Sequence, residues 1–87
     1  MWYVYILQSK KNGKYYIGST NNLKRRLIEH NSGHTKSLIN LLPMILMFSQ
    51  DYDNIREARK IELRLKKLKS RAIVENIIRD KVIKLGP

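Results

Sequence analysis

The spacing of hydrophobic and polar positions predicts a β-hairpin at the start of the chain. Residues 2–7 are aromatic and β-branched, which is typical of a strand, and residues 15–18 repeat this pattern. The pair Asn12-Gly13 lies between the two runs. Asn-Gly is the strongest short hairpin signal, because both residues tolerate positive φ. The first eighteen residues therefore predict two antiparallel strands.

After the hairpin the hydrophobic period changes to that of a helix. Asn21 or Asn22 can cap a helix that ends near residue 31, with Leu23, Leu27 and His30 on one face. Residues 34–42 change from polar to apolar and are interpreted as a loop. The apolar run at residues 44–49 predicts a third strand that is buried or nearly so.

Two more helices complete the predicted order of elements. Residues 50–54 are expected to form a turn, and Asp53 or Asn54 can cap a helix over residues 55–69. Ser70 can cap a last helix from residue 71 to about residue 85. The order strand, strand, helix, strand, helix, helix predicts an α+β fold, with a small three-stranded, mainly antiparallel sheet flanked by about three helices. At 87 residues the chain is expected to be a single domain, residues 1–87.

The charge balance points to a polyanionic partner. The formal net charge is +11 and the isoelectric point is near 10.2, so nucleic acid is the natural expectation. No cysteine is present, which excludes disulfides and cysteine-ligated zinc. No apolar stretch approaches the ~20 residues that span a bilayer, and the basic helices lack the aromatic residues of membrane-surface helices. A cytoplasmic protein with no membrane partner is predicted.

Two polar residues border the inward face of the first predicted helix. Arg26 lies three residues after Leu23 and four before His30, so helical spacing brings all three onto neighbouring rows. A guanidinium and an imidazole would then point toward the sheet. The alternative is that the Arg26 stem simply runs along the apolar stripe with its charge in water.

Glu62 is an isolated carboxylate beside Ile61 on the apolar side of a strongly basic helix. Near phosphates a carboxylate is unfavourable unless a cation lies between them, and Mg²⁺ often binds through one or two carboxylates together with substrate oxygens and water. The alternative is a surface ion pair with Arg59 or Lys66, which contributes only ~0.3–0.5 kcal/mol.

The tyrosines form the third group of candidates. Tyr3 and Tyr5 share one face of the first strand, because side chains alternate along a strand, and Tyr16 lies opposite in the hairpin. Tyr15 is assigned to cross-strand packing. Gly18 is expected to leave space for the approach of a backbone or a phosphate.

Taken together in this order, these blocks resemble the GIY-YIG nuclease family. The matching motifs are Tyr3-Val4-Tyr5, Tyr16-Ile17-Gly18, and the helix pattern Asn22-Leu23, Arg26, Leu27 and His30. Residues 57–71 are similar to the C-terminal half of the small stand-alone members, which are often labelled excinuclease-subunit-C-like. The resemblance covers nearly the whole chain and implies a GIY-YIG endonuclease-like fold.

The resemblance also implies a role for each candidate residue. Tyr16 matches the proposed general base, and Tyr5 matches the tyrosine that helps to orient the water or the base. Arg26 matches the arginine that stabilises charge on the phosphoryl group, and His30 matches a position near the nucleophile. Glu62 matches the single metal-binding glutamate, which implies Mg²⁺ or Mn²⁺ as the cofactor.

The expected function is divalent-metal-dependent hydrolysis of phosphodiester bonds in DNA, structure-selective or in repair or recombination. Expected contacts with the nucleic acid are Lys14, Lys24, Arg25, Lys36, Arg59, Lys66, Lys69 and Arg71. The chain departs from the family at Ser19, where some members have a lysine, and at residues 38–47, which are apolar rather than basic. Two alternatives therefore remain: a catalytically silent nucleic-acid-binding module, and a protein-interaction domain that uses residues 38–48.

Overall fold

The computed structural model describes residues 1–32 and 42–83. It contains the elements β1 (Trp2–Ser9), β2 (Tyr15–Thr20), α1 (Leu23–Asn31), β3 (Met44–Tyr52), α2 (Ile55–Leu68) and α3 (Arg71–Asp80). The predicted order and the α+β class are confirmed. Within the described residues, no helix is both long enough and apolar enough to cross a membrane.

The three strands form one antiparallel sheet in the order β2-β1-β3. In the hairpin, Tyr5 pairs with Gly18 and Leu7 pairs with Tyr16. Because paired residues project to the same side and side chains alternate, these four residues share one face of the sheet. This register places both motif tyrosines, Tyr5 and Tyr16, on the same surface.

Helices cover both faces of the sheet. On one face, Val4 and Ile6 of β1 are fully buried against α2 and α3. On the other face, Tyr5, Leu7 and Met44 form a smaller cluster with side chains of α1. Each layer buries one alternate set of β1 side chains, so the central strand carries both cores.

Polar caps begin all three helices at predicted positions. The side chain of Asn22 accepts from the backbone N–H of Arg25, and the side chain of Asn54 accepts from that of Glu57. Ser70 caps α3 in the same way through Ile73. Each cap satisfies an N–H that has no partner inside the helix and stabilises it by about 1 kcal/mol.

The predicted end of the last helix was wrong. α3 ends at Asp80, and Lys81 follows in the left-handed conformation with φ of 58°. The chain then turns back toward the sheet, where Ile83 is buried and its backbone N–H donates to the Gln50 side chain at 3.0 Å. Ile83 therefore packs against the sheet after the helix has ended.

The third strand is longer and less buried than predicted. β3 continues to Tyr52, which pairs with Trp2, so the turn predicted over residues 50–54 is mostly strand. Ile45 and Leu46 are 38% and 37% exposed. Their exposure follows from the position of β3 at an edge of the sheet. Of the predicted 34–42 loop, only Leu42 lies within the described residues, and it packs against the Tyr5 cluster.

Candidate active site

The phenol of Tyr5 connects strand β1 to helix α1. Tyr5 is buried, and its Oη lies 3.3 Å from Nε2 of His30. The Nε–H of Arg26 donates to the same oxygen at 3.4 Å. Arg26 and His30 reach one point because they lie four residues apart on the same helix. The predicted placement of both residues on the inward border of α1 is thus observed.

Gly18 makes room for this phenol. A Cβ built at Gly18 would lie 2.5 Å from Cζ of Tyr5 and closer still to its Oη. The space expected to admit a backbone or a phosphate is therefore filled by the Tyr5 ring. The ring fills this space because Gly18 pairs directly with Tyr5 across the hairpin and the ring lies over the glycine.

The surroundings of His30 favour its neutral form. Burial lowers its pKa, the nearby charge of Arg26 lowers it further, and Glu29 acts weakly in the opposite direction. When Nε2 accepts from the Tyr5 hydroxyl, the ring proton is on Nδ1, for which the described residues offer no hydrogen-bond partner. The imidazole is thus available as a proton acceptor beside a phenol rather than as a fixed positive charge.

Arg26 supplies that fixed positive charge. Its hydrogen bond with Tyr5 raises the pKa of the guanidinium, and the charge of Glu29 adds to this effect against some desolvation. Its Nη1 is 3.9 Å from Oε1 of Glu29, and the side chain is part-exposed. The arginine is therefore anchored at one edge while donors remain available on the open side, an arrangement suited to a phosphate oxygen.

Glu62 approaches from the opposite layer, on helix α2. Its side chain is 15% exposed, and Lys66 Nζ donates to Oε2 at 2.6 Å. The predicted alternative of an ion pair with Lys66 is thus observed in this structure. The hydroxyl of Ser19 donates to Oε1 at 2.5 Å. Both carboxylate oxygens have defined partners.

Sequence reasoning missed the role of Ser19. The serine was assessed only as the absence of a phosphate-binding lysine. It pairs with Val4, so it faces the α2 side of the sheet and reaches the glutamate there. The signal was the alternation along β2, which separates Ser19 from the face that carries Tyr16 and Gly18.

All five predicted catalytic residues line one cleft of about 220 Å³. The members are Tyr5, Tyr16, Arg26, His30 and Glu62, with Lys66 and Ser19 beside them. The Tyr16 hydroxyl receives a hydrogen bond from the Asn12 amide at 3.4 Å. Phenols, an imidazole and a guanidinium thus surround a space whose one carboxylate, among the described lining residues, is Glu62.

A larger groove of about 650 Å³ adjoins this cleft along strand β2. The two share Tyr16, Ile17 and Lys66. Four of the predicted nucleic-acid contacts line the groove: Lys14, Lys66, Lys69 and Arg71. A basic path therefore leads directly to the candidate catalytic residues.

The other predicted nucleic-acid contacts are less concentrated. Lys24 and Arg25 are exposed on α1, Arg59 is exposed on α2, and Lys36 lies outside the described residues. The Arg25 side chain also approaches Glu29 at 4.0 Å.

Arg71 takes part in contacts within the fold. It donates to the backbone oxygen of Gly13 at 3.0 Å and stacks 4.8 Å from the Tyr15 ring centroid. It also lies 3.4 Å from Glu75. Arg71 therefore holds the hairpin turn to α3, in addition to lining the groove. Tyr15 packs against the core, as predicted.

The donor set around Glu62 fits a divalent cation held by a single carboxylate. No group of three or more His, Cys, Asp or Glu side chains is present within residues 1–32 and 42–83. A full protein cage is therefore absent from that part of the chain. Mg²⁺ commonly binds through one or two carboxylates and completes its shell with water and substrate phosphate oxygens. Glu62, at the edge of an open cleft, offers one such carboxylate, and in this structure Lys66 occupies its Oε2.

Comparison with known proteins identifies the family of this chain. A family model described as the GIY-YIG catalytic domain matches residues 1–76, and the chain belongs to this family. Its relatives are UPF0213 proteins, which are small stand-alone GIY-YIG domain proteins.

Three comparisons illustrate the relationship. A UPF0213 protein of Streptococcus pneumoniae serotype 4 is 40% identical over 68 residues, covering 77% of this chain and 68% of that protein. A UPF0213 protein of Bacillus licheniformis is 39% identical over 80 residues, covering 91% of this chain and 80% of that protein. The solution NMR structure of a UPF0213 protein from Bacillus halodurans matches with a TM-score of 0.59 and 34% identity, covering 93% of this chain and 86% of that one.

Membership of this family supports a nuclease-like function in general, with nucleic acid as the general kind of partner. GIY-YIG nucleases generally use a divalent metal.

Proposed function

We propose that this protein is a divalent-metal-dependent endonuclease that hydrolyses phosphodiester bonds in DNA. One observation carries the proposal: the five side chains that match the GIY-YIG motifs come from both faces of the sheet and line a single cleft. These residues are far apart in the sequence, from Tyr5 to Glu62, so their meeting in one cleft is not expected by chance.

The proton acceptor for the attacking water is Tyr16. Its hydroxyl lies on the cleft side of β2 and has a neutral donor, Asn12, as its partner. This role needs positive charge close by, because such charge stabilises the phenolate that forms when the phenol gives up its proton. Arg26 and Lys66 line the same cleft and supply that charge.

Tyr5 and His30 orient the attacking water and the general base. The Tyr5 oxygen is fixed between Arg26 and His30, and the neutral imidazole can accept a proton. Such a chain orients a water molecule without adding another charge near the phosphate. The T-shaped contact of the two rings, 6.1 Å between centroids, keeps the phenol in place.

Arg26 stabilises the charge that develops on the phosphoryl oxygens. Its Nε is bound to Tyr5 and its Nη1 lies near Glu29, so the remaining N–H groups of the guanidinium would donate toward the cleft. Fixed donors that are aimed at developing charge contribute more than mobile ones, because they need no reorganisation during the reaction.

Glu62 would hold the divalent cation, Mg²⁺ or Mn²⁺, with Ser19 keeping the carboxylate in position. A cation there supplies Lewis-acid stabilisation of phosphate charge. The chain must also orient the carboxylate. The hydrogen bond from Ser19 to Oε1 does so, because it directs Oε2 toward Lys66 and the open cleft.

The groove along β2 would carry the strand that flanks the scissile phosphate. Its lysines can contact phosphates, and such contacts position DNA without reading its sequence. Weak sequence preference suits an enzyme that selects DNA by structure, as expected for repair or recombination.

A catalytically silent DNA-binding module is the second candidate. The observation that favours it is that Ser19 and Lys66 already occupy both oxygens of Glu62. A protein-interaction domain is the third, and the exposed Ile45 and Leu46, at the end of the apolar 38–48 segment, favour it.

Cleavage of supercoiled, single-stranded, flapped and branched DNA with Mg²⁺ or Mn²⁺ tests these candidates. The matched variants are Tyr16→Phe and Tyr52→Phe. The Tyr16 hydroxyl lies in the cleft, whereas the Tyr52 hydroxyl lies away from the cleft and accepts a hydrogen bond from Gln50. Cutting that is lost only in Tyr16→Phe supports the nuclease. Salt-sensitive binding without cutting supports the silent module. A concentration-dependent increase in mass without DNA binding supports the interaction domain.

A further inference from the structure

Lys66 lies where three basic depressions meet. It lines the catalytic cleft, the groove along β2, and a third depression of about 410 Å³ on the outer side of α2. Its Nζ lies 2.6 Å from Oε2 of Glu62, the carboxylate that fits a metal ligand. One side chain thus connects the expected metal site with the expected path of the DNA.

The two partners of this ion pair differ in freedom. Glu62 is 15% exposed and tied through Oε1 to Ser19 on β2. The Lys66 side chain is 50% exposed and ends a flexible four-carbon stem. The lysine end of this pair is half-exposed, where ion pairs are weak, so a competing anion in the groove can draw the ammonium away while the carboxylate stays in place.

The groove offers such a competitor when DNA binds. Lys14 and Lys69 line it together with Lys66, so a phosphate that enters is attracted by several ammonium groups at once. The cleft and the groove share Lys66, so a small swing of its side chain changes partner from carboxylate to phosphate.

We propose that Lys66 couples metal loading to DNA binding. In the free protein its ammonium occupies Oε2 of Glu62 and weakens the affinity of that carboxylate for a divalent cation. When DNA lies in the groove, the ammonium transfers to a phosphate oxygen and Oε2 is released for the cation. This inference rests on the proposed nuclease function and specifies how its site is regulated.

The coupling must act in both directions. If DNA tightens metal binding by removing Lys66, bound metal tightens DNA binding by the same factor. The device keeps the metal site poorly loaded until DNA is present.

Titration of the free protein with Mn²⁺, followed by the EPR signal of unbound Mn²⁺, tests the first half. Lys66→Met should bind Mn²⁺ about fivefold more tightly than the original chain. The substitution removes both the ion pair that competes for Glu62 and the positive charge that repels the cation. Lys67→Met removes the same charge from the next position on α2 and should stay within about twofold. Thermal melting of both variants verifies the fold.

The same titration with bound DNA, in a Tyr16→Phe background that does not cut, tests the second half. DNA should tighten Mn²⁺ binding by a larger factor with Lys66 present than with Lys66→Met. Equal Mn²⁺ affinities for the original chain and Lys66→Met, or equal changes in Lys66→Met and Lys67→Met, would overturn the coupling. Cleavage with unchanged Mn²⁺ affinity in Lys66→Met would reject the coupling yet leave the nuclease intact.

Discussion

A methyl group at Gly18 should damage both stability and activity. The Cβ of Gly18→Ala would lie 2.5 Å from Cζ and 3.1 Å from Cε1 of Tyr5, distances at which real atoms must move. Tyr5 is 5% exposed, so its ring has little room to retreat. Overpacking of this kind costs about 1–3 kcal/mol. For a domain of this size, each kcal/mol corresponds to about 4–8 °C in melting temperature.

The expected loss of activity follows from the same displacement. The phenol must leave the positions 3.3 Å from His30 and 3.4 Å from Arg26, so the support for the water and the anchor for the guanidinium are both broken. DNA cleavage should therefore fall at least tenfold at a temperature where the variant remains folded.

Urea unfolding followed by the fluorescence of Trp2, the one tryptophan of the chain, measures the stability change. Combination with Tyr5→Leu provides the control, because this shorter side chain removes the ring atoms that the methyl would meet. Gly18→Ala should then cost less in the Tyr5→Leu background than alone. An unfolding free energy within about 0.5 kcal/mol of the original chain for Gly18→Ala would refute the packing argument.

Three further predictions concern the same site. Ser19→Ala should lower the free energy of unfolding by about 1.5 kcal/mol and slow cleavage, because a hydrogen bond to the Glu62 carboxylate is lost; urea unfolding and the cleavage rate measure this. Stability should decline as the pH falls below 6.5, because the pKa of His30 is lowered in the folded state and the unfolded chain binds more protons there; urea unfolding at pH 7.5 and 5.5 measures it. Double replacement of Lys14 and Lys69 by Ala should weaken DNA binding and reduce the slope of log affinity against log salt by about 1.8 for duplex DNA.

Each of these predictions has its own control. Ser32→Ala removes an exposed serine hydroxyl outside the cleft and should not slow cleavage, and an equal loss in both variants would contradict the role of Ser19. The loss of stability between pH 7.5 and 5.5 should be smaller in His30→Gln. An unchanged loss would show that a group other than His30 causes it. Lys60→Ala with Lys10→Ala removes the same charge away from the groove, and an equal loss of affinity would show that only net charge matters.

The hairpin and the helix starts were predictable because their signals are local. Asn12-Gly13 marks the turn, and Asn22, Asn54 and Ser70 each supply the side chain that caps a helix. Arg26 and His30 were placed correctly because helical spacing alone puts them on the inward border of α1.

The misjudged features depend on contacts between distant parts of the chain. The end of α3 is set by Lys81 and by the return of Ile83 to Gln50, which periodicity cannot show. The extension of β3 follows from its pairing with Trp2.

The candidate site shows the same limit. Its residues were found from motif resemblance, but the packing of Gly18 under Tyr5 and the bond from Ser19 to Glu62 needed the register of the sheet. Local patterns identify side chains, whereas their partners appear only when the strands are paired.

The most direct test of the central claim is metal-dependent DNA cleavage by a matched pair of glutamate variants. Glu62→Gln removes the charge that would hold the cation, while Glu57→Gln makes the same change five residues earlier on α2, outside the cleft. The account predicts Mg²⁺- or Mn²⁺-dependent cutting by the original chain and by Glu57→Gln, and at least a hundredfold loss in Glu62→Gln. Equal cutting by all three proteins would contradict the assigned site.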